Sequence, residues 1–441
     1  MKDKTDSECL SNKVFSIINW IDFSFNQRFF YKNTELTNDY IYLYASFLFY
    51  MVCDKENVFD SAIRDYLHES LSKVLNELPQ TDEVICVSRI KHHLLFGNKT
   101  DFRYLLISQL FYTFELIGIP VKVDFRNLLQ EKLLFNEKEF AKVLNNIINP
   151  KLITDKKIIQ SFSDYLDFKE ALSSYNSLRI ANIGVCATMS AGKSTFVNAL
   201  LGDDYLPSRN EATTARITSV YDNDHSQKLI GFTMSGNKLA EIESNVSEKD
   251  VDSWNSDSDI TRIFLQGDLD NIGNNGIVVS VHDTPGTNNS GDKNHHDITV
   301  NFLSSQKFDV LIFVANATQL CINDEYELLK EIYEKVVKPN NLPVIFVLNK
   351  ADEFDPEKED ISQIITKYSD YLCEIGFENP KIFPVSSKAA RLLKMAKKGR
   401  SENLSGRNKK ELKTIQAEFS DLTSTGIPQV EKYIEKIIGG Q

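Results

Sequence analysis

Five short apolar runs, at residues 180–186, 277–282, 309–315, 343–348 and 381–385, punctuate this 441-residue chain from residue 178 on. Each is rich in Val, Ile and Phe, each is bounded by turn or polar residues, and helical stretches at 324–337 and 360–375 lie between them. Strands this apolar are buried on both faces, and their alternation with helices specifies an α/β fold, a doubly wound and mostly parallel sheet. The pattern before residue 178 is different. Apolar positions recur there at helical spacing, as in Val14, Ile17, Ile18 and Ile21, and again in Ile63, Tyr66, Leu67, Leu71, Val74 and Leu78. Breaks fall at Pro79, residues 97–100, Pro120 and Pro150. Residues 1–152 are therefore expected to form an all-helical domain of about six helices. Residues 153–178 are expected to form a connecting helix with Ile158, Phe162, Leu166 and Leu172 on one face, and residues 179–441 the α/β domain, closed by a helix at 428–438.

Hydrophobic residues make up 42% of the chain and charged residues 25%, the composition of a globular protein with sizeable cores. A formal net charge of −12 excludes a surface that as a whole tracks nucleic acid or an anionic membrane, so any phosphate must be held locally. The six cysteines stand singly, without the spacing of a zinc site or a disulfide framework, which fits a reducing cytosol. No signal-peptide run opens the chain. Of the two most apolar stretches, 40–53 is too short to span a bilayer, and 104–123 carries Ser108, Gln109, Thr113 and Glu115 and contains Pro120. Both read as buried core helices.

The first apolar run leads into Ala187-Thr188-Met189-Ser190-Ala191-Gly192-Lys193-Ser194-Thr195 and then an apolar helix. In a phosphate loop of this form the backbone N–H groups and the helix N-terminus cradle the phosphates, Lys193 reaches the β and γ oxygens, and the Ser194 hydroxyl ligates Mg²⁺. Ala187 stands where such loops carry their first glycine, which costs strain only if that position needs a positive φ. Asp283-Thr284-Pro285-Gly286 follows the second run: Asp283 is placed to hold Mg²⁺ and the Gly286 N–H to sense the γ-phosphate. Asn349-Lys350-Ala351-Asp352 follows the fourth, and the Asp352 carboxylate can accept from both guanine N1–H and its 2-amino group, two donors that adenine lacks. Ser386-Ser387-Lys388 follows the fifth, where a backbone N–H near Ser387 can meet guanine O6. Four elements in this order, each at the carboxyl end of an expected strand, specify GTP and GDP as ligands and Mg²⁺ as the cofactor.

The run from Ser190 to Pro207, S-A-G-K-S-T-F-V-N-A-L-L-G-D-D-Y-L-P, with Thr213-Thr214-Ala215 beyond it, resembles the dynamin-like GTPases, especially the bacterial and mitofusin-type members. The resemblance covers residues 179 to the end and implies GTP hydrolysis, with Ser190 acting in the phosphate loop. It also implies that a switch threonine, Thr214 or its neighbour Thr213, orders Mg²⁺ and the attacking water. Thr287 stands where small GTPases carry a water-orienting glutamine, so the switch threonine is the candidate for that task. Arg209 and Arg216 are candidate charge stabilisers. Two departures limit the carry-over: Met189 replaces a residue often polar in dynamins, and the long helical stalk that dynamins place largely after the G domain has no counterpart here. The resemblance further implies a nucleotide-dependent homodimer, and the connecting helix and C-terminal helix are expected to pack as a short neck.

Other features carry less. His295-His296 and His92-His93 lack ligand partners at helical spacing, so no metal is expected there. The basic stretch 388–413 reads first as a solvated helix and loop, the sharper alternative being a docking patch for an acidic partner, ribosomal RNA or lipid headgroups. Three functions compete: a dimerising GTPase that moves its helical domain, a slow GTP-dependent switch whose helical domain recognises a protein or ribosome, and a membrane-remodelling GTPase with partner subunits. The expected location is the cytoplasm, with peripheral membrane attachment as the alternative.

Overall fold

The structure is a computed structural model and describes residues 6–26, 34–53, 61–77, 106, 109–110, 112–117, 156–188, 190–207, 216–224, 226, 228–269, 276–286, 293–354 and 360–439. Its contacts divide the chain into two units, Met1–Ser177 with Leu239–Ser244, and Leu178–Lys238 with Asn245–Gln441. None of the described helices is long and apolar enough to cross a membrane.

In the first unit, α1 (Asp6–Asn26), α2 (Thr34–Cys53), α3 (Ser61–Glu77) and α4 (Lys156–Ser177) are described, together with helical residues between 106 and 117. The helical spacing works as expected in α1 and α3: Val14, Ile17, Ile18, Ile21, Ile63, Tyr66, Leu67 and Leu71 are all buried. The core also holds a polar centre. Thr113 Oγ1 donates to Gln109 O at 2.7 Å, so it can only accept from Trp20 Nε1 and from the Tyr44 hydroxyl, each 2.7 Å away. Leu166 departs from its expected place, being 40% exposed. Phe168 faces inward instead, stacked on Phe23 with ring centroids 3.8 Å apart, and Asn176 Nδ2 donates to Ser16 Oγ at 2.8 Å.

From residue 178 on, the chain follows the order β1 (Arg179–Ala187), α5 (Lys193–Leu201), β2 (Ile217–Asp222), β3 (Ile230–Ser235), β4 (Lys238–Glu243, grouped with the first unit from Leu239 on), α6 (Glu248–Ser256), β5 (Arg262–Gly267), β6 (Ile277–Asp283), α7 (Lys293–Ser305), β7 (Val310–Asn316), α8 (Asn323–Ile332), β8 (Val344–Asn349), α9 (Ile361–Ile375), β9 (Lys381–Val385), α10 (Ser387–Lys397), α11 (Gly406–Glu418), α12 (Ile427–Ile438). The nine strands form one sheet in the order β4-β3-β5-β2-β6-β1-β7-β8-β9. From β6 to β9 all neighbours run parallel. This half matches the five apolar runs, because strands covered on both faces must be apolar throughout. Four further strands, β2 to β5, extend the sheet; β2 runs antiparallel to β6 and β3 antiparallel to β5, while β2 and β5 are parallel.

Alternate side chains of β1 and β7 enter two cores. Ile183 and Val185 join Phe196 and Val197 of α5 and Val430 and Ile434 of α12 on one face. Leu311 and Phe313 join Leu303 of α7, Leu328 of α8 and Leu372 of α9 on the other. The fold is thus the doubly wound P-loop α/β sheet, with strand order reversing beside β1, where such sheets bind ligands at their carboxyl ends. One expected helix is altered: 324–337 passes from α8 into a π-helical turn at Tyr333–Val337.

Candidate functional site

The phosphate loop is shaped by its backbone. Ala187 lies inside β1, fully buried, and is absent from the positive-φ positions, so its methyl group is absorbed by the core and the missing glycine costs nothing. The left-handed turns fall later, at Ser190 (φ 61°) and Gly192 (φ 82°). A Cβ on Gly192 would collide with Asn349 Nδ2, so only glycine satisfies both the φ and the approach. Ser190 is exposed at the loop tip, Ala191 is buried, and Thr195 is half-buried in the first turn of α5.

Lys193 and Asp283 meet as a buried ion pair, their side chains 6% and 0% exposed. Ser194 Oγ donates to Asp283 Oδ2 at 3.4 Å. A lysine, a hydroxyl and a carboxylate therefore converge where α5 starts and β6 ends. Thr284 then returns to the sheet, its hydroxyl donating to Val185 O at 2.9 Å, and Pro285 O accepts from Thr299 Oγ1 at 3.1 Å. These bonds fix the backbone that leads to half-buried Gly286.

Asn349 is the hub of the base side. Its Nδ2 donates to Ala191 O at 2.8 Å and to Gly192 O at 3.4 Å, while its Oδ1 accepts from the Ser387 N–H at 3.2 Å. The side chain thereby braces two loops, the phosphate loop and the turn Ser386-Ser387-Lys388. Lys350 turns the chain with φ 65°, and Asp352 stands exposed on the following 3-10 turn, Ala351–Glu353. Ser386 caps α10 through the Ala389 N–H at 3.3 Å, and Ser387 is buried behind it. Lys388 points away into an ion pair with Glu411 at 2.9 Å.

Sequence reasoning missed His282, next to Asp283. It is buried in a polar network: Nδ1 lies 2.8 Å from Ser219 Oγ, and Nε2 lies 3.0 Å from both Ser280 Oγ and Asn182 Oδ1. Burial, with Arg262 nearby, pulls its pKa down to about 3, so the imidazole is neutral and donates from Nε2 to Asn182 while Nδ1 accepts from Ser219. A histidine inside an apolar run gives no signal of this kind in sequence. The network ties β2, β6 and β1 together immediately behind the carboxylate.

Thr213, Thr214, Arg209, Thr287 and Met189 lie outside the described residues. Arg216 is described, and its guanidinium donates twice to Asp257 O, at 3.2 and 2.9 Å. That use is structural. His296 likewise bonds Glu331 at 2.5 Å. The basic stretch 388–413 is corrected in part: Arg391 and Lys394, expected in solvent, are buried and paired with Asp204 and Glu431.

Residues 183–351 match the model of the dynamin family. An uncharacterised protein from the xynA 3′ region of Caldicellulosiruptor sp. (strain Rt8B.4) is 25% identical over 264 residues, 59% of each chain, so this chain spans about three fifths of that relative's length. Among solved structures, an oligomerised bacterial dynamin pair proposed to sense and tether membranes aligns with 82% of this chain and 57% of its own, at 19% identity and a TM-score of 0.42. Toc33 of Arabidopsis thaliana, solved with GDP and Mg²⁺, aligns with 63% of this chain and 92% of its own, at 16% identity and a TM-score of 0.34. The family match, with the order and placement of the phosphate and base elements, supports a dynamin-like G domain over residues 183–351.

Proposed function

We propose that this protein binds GTP in preference to ATP and hydrolyses it with Mg²⁺, at a rate raised by nucleotide-dependent pairing of two G domains. The observation that carries the reading is the convergence of Lys193, Ser194 and Asp283 at one end of α5, braced through Asn349 to the loop expected to meet guanine. Two hard oxygen donors, Ser194 Oγ and Asp283 Oδ2, lie 3.4 Å apart, the chemistry that suits Mg²⁺. When bound, Mg²⁺ would neutralise charge on the β and γ oxygens. Lys193 would exchange its carboxylate partner for those oxygens, the N–H groups of the loop from Ser190 to Thr195 would cradle the phosphates, and the Gly286 N–H would mark the γ position. Asp352, which is exposed, would read the guanine edge, and Lys350 would contact the nucleotide beside it.

Thr214, or Thr213, is the proposed residue for ordering the attacking water. With Thr287 in the glutamine's place, unassisted turnover is expected at about 10⁻⁴ to 10⁻² s⁻¹. Residues 1–152 are proposed as a helical domain that the G domain moves, with 153–178 as the connecting neck. A protein partner of that helical domain and a cytoplasmic location belong to the same proposal, with peripheral membrane attachment as the alternative. Phosphate release from GTP, measured over a hundredfold range of protein concentration with and without liposomes, tests it. Specific activity should rise with concentration; a flat, slow rate would replace pairing by a slow switch, and stimulation by liposomes alone would point to membrane work.

A further inference from the structure

Lys193 and Ser194 open α5, so a tilt of that nine-residue helix would move both groups together. Its first turn is held by the Lys193–Asp283 pair. Its other end is held by charge. Lys394 of α10, 2% exposed, donates to Leu200 O at 3.5 Å and pairs with Glu431 of α12 at 2.5 Å. A cation there also complements the negative end of the helix dipole. One turn earlier on α10, Arg391 Nη1 pairs with Asp204 Oδ1 at 2.6 Å, and Arg400, just beyond α10, pairs with Asp203. Between these contacts Gly202 ends α5 in a left-handed turn, and the Asn198 side chain bonds both Leu206 O (2.6 Å) and Leu206 N (2.8 Å).

Packing does not require charges in this place, because a buried ion pair is commonly no more stabilising than well-packed apolar side chains of the same volume. What the charges add is a directed link. The same helix that carries Arg391 and Lys394 starts at Ser387, whose N–H bonds Asn349, and Asn349 in turn bonds the phosphate loop at Ala191 and Gly192. A rigid helix of 11 residues thus joins the loop on the base side to the foot of the helix that bears the phosphate and metal groups.

We infer that Arg391 is a positioning residue for hydrolysis: through Asp204, and backed by Lys394 on Glu431, it sets the placement of α5 from the guanine side. This rests on the proposed GTP hydrolysis, to which it adds the means by which base recognition reaches the reacting groups. Its consequence is a split between kinetic parameters. The parent site binds nucleotide through loops that Arg391 does not touch, so losing the tether should lower kcat and spare affinity.

The test uses the full chain with Arg391→Met, Arg391→Lys, Arg391→Asp, Asp204→Arg and the charge-reversed pair R391D/D204R. Phosphate release gives kcat and KM for GTP, and a fluorescent GDP analogue gives affinity. R391M should lose about tenfold in kcat with GDP affinity within about twofold of the parent, R391K should retain most of the rate, and the reversed pair should recover rate that each single reversal loses. An R391M protein with the parent's kcat overturns the inference, as does parallel loss of kcat and affinity that the reversed pair does not restore. A parent that binds GDP yet releases no phosphate from GTP would instead overturn the hydrolase reading, and this role with it.

Discussion

Replacing Asp283 by Asn separates the site's electrostatics from its packing. The change is nearly isosteric and removes the counter-ion of Lys193, whose side chain is only 6% exposed. Removing one member of a buried ion pair costs about 3–5 kcal/mol, because the remaining charge stays desolvated. The new amide oxygen can still accept from Lys193, so the lower end, about 3 kcal/mol, is expected. For a unit of this size that is about 6–12 °C in the midpoint of unfolding. Lys193→Met in the same chain should recover most of the loss, since no charge then remains to be compensated. GDP should also recover part of it in D283N, because phosphate oxygens take the carboxylate's place beside Lys193. Thermal and urea unfolding of the parent, D283N and the double variant, each with and without GDP, measures all three. D283N within about 1 kcal/mol of the parent, or a double variant no better than the single one, would refute the reasoning.

Asp352→Asn exchanges an acceptor for a donor facing the base, and should weaken GTP while favouring xanthine nucleotides; unchanged preference in competition binding would contradict the role given to Asp352. Thr214→Ala should lower kcat far more than GTP affinity, and an unaltered single-turnover rate would remove it from the reaction. Burial pushes the Glu325 carboxyl up to about 7, against the smaller opposing effects of the Tyr368 hydroxyl and the Cys321 amide. The folded chain therefore keeps a proton that the unfolded chain releases above its ordinary 4.5, and the stability tied to this group falls as pH rises from 4.5 to about 7. Glu325→Gln, which mimics the protonated form, should add up to about 3 kcal/mol at pH 8 and almost nothing at pH 4; an equal margin at both values would refute it.

The parallel half of the sheet was legible because strands buried on both faces are written as unbroken apolar runs, and four of the five are followed by a turn carrying its chemistry. The strands β2 to β5 were not. β2 is buried along its whole length yet contains Thr218, Ser219 and Asp222, and Ser219 is there to bond His282, a requirement that only the fold creates. Lys394 and Arg391 misled for a related reason: a cation in sequence signals solvent, and the carboxylates that bury them, Glu431 and Asp204, lie 37 and 187 positions away. In α4 the apolar spacing nominated Leu166, but Phe168 made the better partner for Phe23 and turned Leu166 outward. At the site, residue types were readable and their division of labour was not. Asn349 reads in sequence as a nucleotide contact, and the fold adds that its amide bonds the backbone of the phosphate loop and of Ser387.

Lys193 and Asp352 are proposed to belong to one guanine-nucleotide hydrolase site. Phosphate release with Mg²⁺ from GTP and from ATP, by the parent and by Lys193→Ala, tests it most directly. The parent should favour GTP by about 10²-fold or more in kcat/KM, and the alanine variant should have no measurable turnover. Equal use of GTP and ATP by the parent, or a Lys193→Ala protein that keeps the parent's rate, would contradict it.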